Sequence, residues 1–102
     1  MERIYYAGTS FLVDDDVATA LVAYVERLIK SRSSGAVSLP AGYLDGSVGR
    51  LDLLLSPTSV IGFEPQGGHD PRLRDDVTVD RMRMRTDELG GRLVMQQHSR
   101  RR

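Results

Sequence analysis

Val17, Leu21, Val25 and Leu28, with Ala18, Val22 and Ile29 beside them, recur at the i, i+3, i+4 spacing that draws one apolar stripe along an α-helix. Thr19, Glu26, Arg27 and Lys30 fall outside the stripe. The run Asp14-Asp15-Asp16 stands where this helix begins, and it has two readings. Three carboxylates suit a hard cation, but neighbouring residues seldom aim at one point, and the alternate spacing and glycine of a calcium loop are missing. One aspartate capping the helix, with the others complementing its dipole, is sufficient. Ser33-Ser34-Gly35 is expected to end the helix, with Gly35 in the left-handed conformation.

Ahead of the helix, Arg3-Ile4-Tyr5-Tyr6-Ala7 and Ser10-Phe11-Leu12-Val13 are rich in strand-forming residues, and Gly8-Thr9 is the expected turn of a hairpin. Behind it, Ala36-Val37-Ser38-Leu39 runs into Pro40, which cannot donate to a sheet ladder. Asp45-Gly46 marks a second hairpin toward Val48–Leu55. Within Leu51-Asp52-Leu53-Leu54-Leu55 the odd positions make one apolar face, and Leu54 shares the other with Asp52. After a turn at Ser56-Pro57-Thr58-Ser59, residues 59–63 read as a last strand stopped by Pro65. The expected fold class is α+β: two layers, one amphipathic helix on a mostly antiparallel sheet in the order ββαβββ.

The pattern changes at residue 64. Residues 64–74 are rich in glycine, proline and charge and read as a linker after a core domain of residues 1–63. Asp75-Asp76 then open a short helix over 75–91 that stops at Gly90-Gly91, with a hairpin arm through Val77-Thr78-Val79 and Arg92-Leu93-Val94-Met95 as the alternative. Residues 92–102 read as a basic, mobile tail.

The 102 residues are 40% hydrophobic and 27% charged, as in ordinary globular chains. No apolar run nears the roughly 20 residues of a spanning helix, and no signal-type segment opens the sequence, so a cytoplasmic location without membrane contact is the expectation. The absence of cysteine removes disulfides, thiolate metal sites and cysteine nucleophiles. Net charge is zero, but residues 1–63 hold five basic and seven acidic side chains, and residues 64–102 hold nine and seven. The excess of positive charge therefore lies toward the C-terminus.

No catalytic constellation survives inspection. His69 lies in the linker and His98 in the tail, each without a rigid partner. Ser47 lacks the Gly-x-Ser-x-Gly spacing of a nucleophile elbow, and Gly42, Gly46 and Gly49 lack the Lys-Ser/Thr of a phosphate loop. Catalytic, cofactor and metal residues are therefore expected to be none. Tyr5 and Tyr6, being adjacent, point to opposite faces, which weakens an aromatic platform for bases.

Arg81, Arg83 and Arg85 alternate with Met82 and Met84, and Arg92, Arg100, Arg101 and Arg102 follow. These arginines are the candidates for a protein or nucleic-acid contact. A core of about 63 residues has slim stability and two sources of help: the downstream segment packing back through Val79, Met82 and Leu89, or a second copy covering the exposed sheet face near Leu54. Self-association is the favoured expectation. Leu54, Val79, Met82 and Met84 are the candidates for self-association, with a dimer favoured.

The order Ile4-Tyr5-Tyr6-Ala7-Gly8, an Asp-led helix and a strand ending Leu55-Ser56-Pro57 resembles small uncharacterised bacterial proteins of ββαββ type over residues 1–65. The resemblance implies the fold and brings no catalytic residue. The leading expectation is a non-enzymatic interaction or oligomerisation module, and the alternative is weak polyanion binding through the arginine-rich C-terminal segment.

Overall fold

The computed structural model describes residues 1–100, with side chains through Gly90. The chain is α+β: five antiparallel strands form one sheet and two helices pack with it. Strand β1 (Glu2–Tyr6) pairs with β2 (Thr9–Val13), helix α1 spans Asp15–Ser31, β3 (Gly35–Gly42) pairs with β4 (Val48–Leu55), and β5 (Ile61–Pro65) returns to β1. The sheet order is β4-β3-β2-β1-β5. A 3-10 turn at Pro71–Leu73 leads into helix α2, Asp76–Arg100.

Local chemistry explains most boundaries. Asp14 caps α1, its carboxylate accepting from the Asp16 amide at 3.2 Å, while Asp15 and Asp16 stand exposed in the first turn. The helix ends one turn earlier than the glycine suggests: Arg32 takes the left-handed conformation at φ 52° and its N–H reaches back to the Ile29 carbonyl. Gly35 instead opens β3. A Cβ there would overlap the Tyr24 hydroxyl and lie 3.0 Å from Tyr24 Cζ, so this glycine is required by α1 packing. The β1–β2 turn is Ala7-Gly8, one residue before the expected pair, with both at positive φ (52° and 78°), the signature of a type I′ hairpin. The Asp45-Gly46 turn stands as expected, with Gly46 at φ 86°.

The sheet is curled and split. β2 meets β3 only at Leu12↔Gly42, so the rest of β3 has β4 on one side and no strand on the other. Five residues connect β4 to β5 at the opposite edge, which a flat sheet of strands ~4.8 Å apart would barely permit. The curl brings these ends together: the Tyr6 hydroxyl donates to the Leu54 carbonyl and lies 3.2 Å from Ser59 Oγ.

Helix α2 fills the split. Leu73 is buried beside Leu12 and Gly42, at the point where β2 and β3 still touch. From there the chain crosses to the α1 side, where Val79 and Met82 join the core and Leu89 packs against it. The unpaired inner edge of β3 is satisfied by side chains: Arg85 donates to the Ala36 carbonyl, and Arg50 Nη2 donates to the Ser38 carbonyl at 3.2 Å. Alternation places the Pro40 nitrogen on this same strandless side, where a missing N–H costs no ladder bond.

Several expectations change here. α2 is a long helix that runs through Gly90-Gly91, so neither the stop at 91 nor the hairpin arm is found. The stretch read as a linker contains the end of β5 and the buried Leu73. β5 includes Pro65 and starts at Ile61. The core is one cluster containing Ile4, Phe11, Val13, the α1 residues Val17, Ala18, Leu21, Val25 and Leu28, then Leu39, Leu53, Leu55, Val79 and Met82, while Val22 and Ile29 of the stripe stay outside it.

Candidate functional site

The two outer edges of the sheet differ. On β4, the carbonyl of Leu54 accepts the Tyr6 hydroxyl, and Asp52 brings charge to the strand. On β5, the Gln66 amide donates to the Met1 carbonyl at 3.0 Å, which fixes the side that faces β1. Residues of one parity share a side in a strand, so Gly62 and Glu64 turn their backbone groups toward β1, and Ile61, Phe63 and Pro65 turn theirs outward. This edge carries two outward N–H donors, on Ile61 and Phe63, and three carbonyls.

Apolar side chains flank the edge. Val22, Val25, Glu26 and Ile29 of α1, together with Val60 and Phe63, border a shallow groove of about 460 Å³. Val60 is 88% exposed and Ile29 46% exposed. Apolar groups in water thus lie beside backbone groups that have no strand partner among the described residues. Sequence reading missed this place because it is assembled from two segments more than thirty residues apart. Ile29 belongs to the helix stripe by its spacing, but unlike Leu21 and Leu28 it is left exposed.

A second constellation ties α2 to β3 and β4. Asp75 caps α2, its carboxylate accepting from the Thr78 amide at 3.0 Å and the Thr78 hydroxyl at 2.7 Å. Arg50 Nη1 donates to the same carboxylate at 2.6 Å, its Nη2 donates to the Thr78 hydroxyl oxygen at 2.9 Å, and its Nε donates to the Ser38 hydroxyl at 2.9 Å. Partial burial pushes the Asp75 carboxyl up, but the Thr78 hydroxyl, the Arg50 guanidinium and the Thr78 amide outweigh it and hold the group at about 2. It is an acceptor throughout the neutral range, spent on positioning the helix.

This network sets a pH dependence. A carboxyl depressed from its unfolded value near 3.9 to about 2 contributes stability that is complete above about pH 4 and lost as pH falls toward 2. Asp75→Asn is expected to destabilise the chain by about 1–2 kcal/mol at pH 7, with a smaller deficit at pH 2, where the wild-type carboxyl is half protonated. Urea midpoints at both pH values check this; an equal deficit at the two would refute the ionic part of the role.

The candidates from the sequence separate. Leu54 and Met84 are 77% and 63% exposed. Val79 and Met82 are in the core, so the alternative in which this segment packs back on its own chain holds, and the two are not available for self-association; the narrow stripe they form with Leu89 faces α1 and β3. Arg81 and Arg83 are exposed, and Arg81 and Arg85 border a groove of about 330 Å³ with Asp52, Leu54 and Thr78. Arg85 is tied to β3 through Ala36, and Asp80, Asp87 and Glu88 lie among these arginines on the exposed helix surface. The side chains of Arg92 and Arg100, and Arg101 and Arg102 entirely, lie outside the described residues. Among the described residues no three His, Asp or Glu side chains converge as a metal-holding group.

The fold and its edges define a class: a small α+β domain with a curled antiparallel sheet, a strut helix closing its split, and one edge that is bare among the described residues and lies beside apolar side chains. Set against protein-family models, curated proteins and solved structures, the chain has no match in any of the three. No helix among the described residues is long and apolar enough to cross a membrane.

Proposed function

We propose that the protein is a non-enzymatic association module that binds a polypeptide as an added strand along β5. The observation that carries this reading is the outward pair of Ile61 and Phe63 N–H groups beside the uncovered Ile29 and Val60 side chains. Backbone bonds along such an edge supply affinity, and apolar side chains entering the groove supply selectivity. An extended peptide with alternate apolar residues matches both.

Selection of displayed extended peptides against the full chain, followed by amide exchange of the complexes, tests the reading. The chosen peptides are expected to slow exchange at Ile61 and Phe63 at least tenfold. Ile29→Lys, at an exposed helix position, is expected to weaken them about tenfold or more while leaving the fold intact. Peptides that bind without protecting these two amides, or that bind Ile29→Lys equally well, would sink it.

A further inference from the structure

We infer that the strand added to β5 is the β5 of a second copy, paired antiparallel about a two-fold axis at Phe63. The inference rests on the association reading and names its partner and register.

The outward groups of β5 are self-complementary in one full-length register. With Phe63 opposite its own copy, each Phe63 N–H donates to the other Phe63 carbonyl, and each Ile61 N–H donates to the other Pro65 carbonyl. Every outward donor is then satisfied. Pro65 has no N–H to leave unpaired, so a residue that ordinarily blunts an edge is accommodated at the ends of the paired segment.

Side chains agree with the backbone. The same register opposes Ile61 to Pro65 and Phe63 to Phe63 on the face that looks toward the helices, giving three apolar cross-strand pairs. On the other face Glu64 meets Gly62, so the two carboxylates are not opposed. Centring on Glu64 would oppose them, and centring on Gly62 would pair three residues instead of five and set Glu64 against Val60. The two five-stranded sheets become one continuous sheet, and Ile29 and Val60 of each copy are brought to the junction.

The chain contains no cysteine, which makes engineered cross-links unambiguous. Gly62 and Glu64 face β1 with their backbone, so across the axis they form close, non-hydrogen-bonded pairs of the kind a disulfide spans, ~4.5 Å between Cα atoms. A Cβ at Gly62 meets only Tyr5 at 3.7 Å, an ordinary contact.

Light scattering on the full chain is expected to give twice the 11.3 kDa chain mass at high micromolar concentration, and Ile29→Lys is expected to raise the dissociation midpoint at least tenfold. Mixed Gly62→Cys and Glu64→Cys chains are expected to oxidise to a cross-linked heterodimer, with neither variant linking to itself. Self-linked Gly62→Cys would overturn the register. A dimer that survives Ile29→Lys and gives no 62–64 link would place the contact elsewhere and overturn the inference. A monomer at every concentration that still binds selected peptides at Ile61 and Phe63 would overturn the second copy alone, whereas a monomer that binds none would remove the association reading as well.

Discussion

Met82→Ala is expected to lower stability by about 2–5 kcal/mol, a large fraction of what a domain of this size possesses. Met82 is 1% exposed and belongs to the same cluster as Leu21, Leu28 and Leu39. Truncation removes its dispersion contacts and leaves a cavity at the junction of α2, α1 and β3, where three backbones limit collapse. Met84, two residues on and 63% exposed, is the internal control: Met84→Ala is expected to change stability by no more than about 0.5 kcal/mol. With a denaturant slope of ~1 kcal/mol/M for so small a chain, the urea midpoint of Met82→Ala should fall by roughly 2 M or more. Equal midpoints for the two alanine variants would mean that α2 is an appendage and not a wall of the core.

Gly35→Ala is the second large effect, about 1–3 kcal/mol, and it has a built-in rescue. The added methyl overlaps the Tyr24 hydroxyl, and Tyr24 is itself buried against Leu28 and the start of β3. Rotating an aromatic ring in a packed site is costly, so β3 must move away from α1. Removing the hydroxyl relieves the overlap at its source. In a Tyr24→Phe background the same Gly35→Ala change is expected to lose at least half its cost, a coupling of more than ~0.5 kcal/mol in a double-mutant cycle. An unchanged cost in both backgrounds would show that the glycine is needed for its backbone and not for the space beside Tyr24.

What the sequence made legible is local. The stripe of α1, its cap at Asp14, the Asp45-Gly46 hairpin and the inward Leu51-Leu53-Leu55 face rest on spacings of two to four residues, and all appear in the fold. The turn at Ala7-Gly8 was missed by one position because Ala7 is a poor residue at positive φ and Gly8-Thr9 looks better in isolation. Gly35 was assigned to the helix end for its conformational freedom, whereas the structure uses its small size.

The role of α2 is only half legible: Val79, Met82 and Leu89 suggest a segment that packs back on the core, but a stripe so narrow among many charges does not decide between that and a contact with a second copy unless the gap it fills is known. That gap exists because β2 and β3 part after one pair, a property of the sheet's curl with no local signature. The Arg50, Thr78 and Asp75 contacts likewise span 25 and 28 residues, beyond any motif. The bare edge of β5 is a matter of strand order, which propensities do not encode.

The place of β5 beside β1 also has a kinetic side. The β1–β2 hairpin closes over two residues, but Ile4 meets Phe63 only after most of the chain has been laid down. Such distant pairing forms late, since loop closure precedes the contacts that reward it. Until then β1 offers its outer edge to whichever copy of Ile61–Pro65 arrives first. The short connection after β4, pinned by the Ser59 amide to the Ser56 carbonyl at 3.1 Å, gives the chain's own strand a high effective concentration. In dilute refolding the chain's own strand is expected to win that competition. In concentrated refolding a neighbour's strand can compete in the same register, and the expected by-product is an exchanged dimer in which each β1 is completed by the other chain.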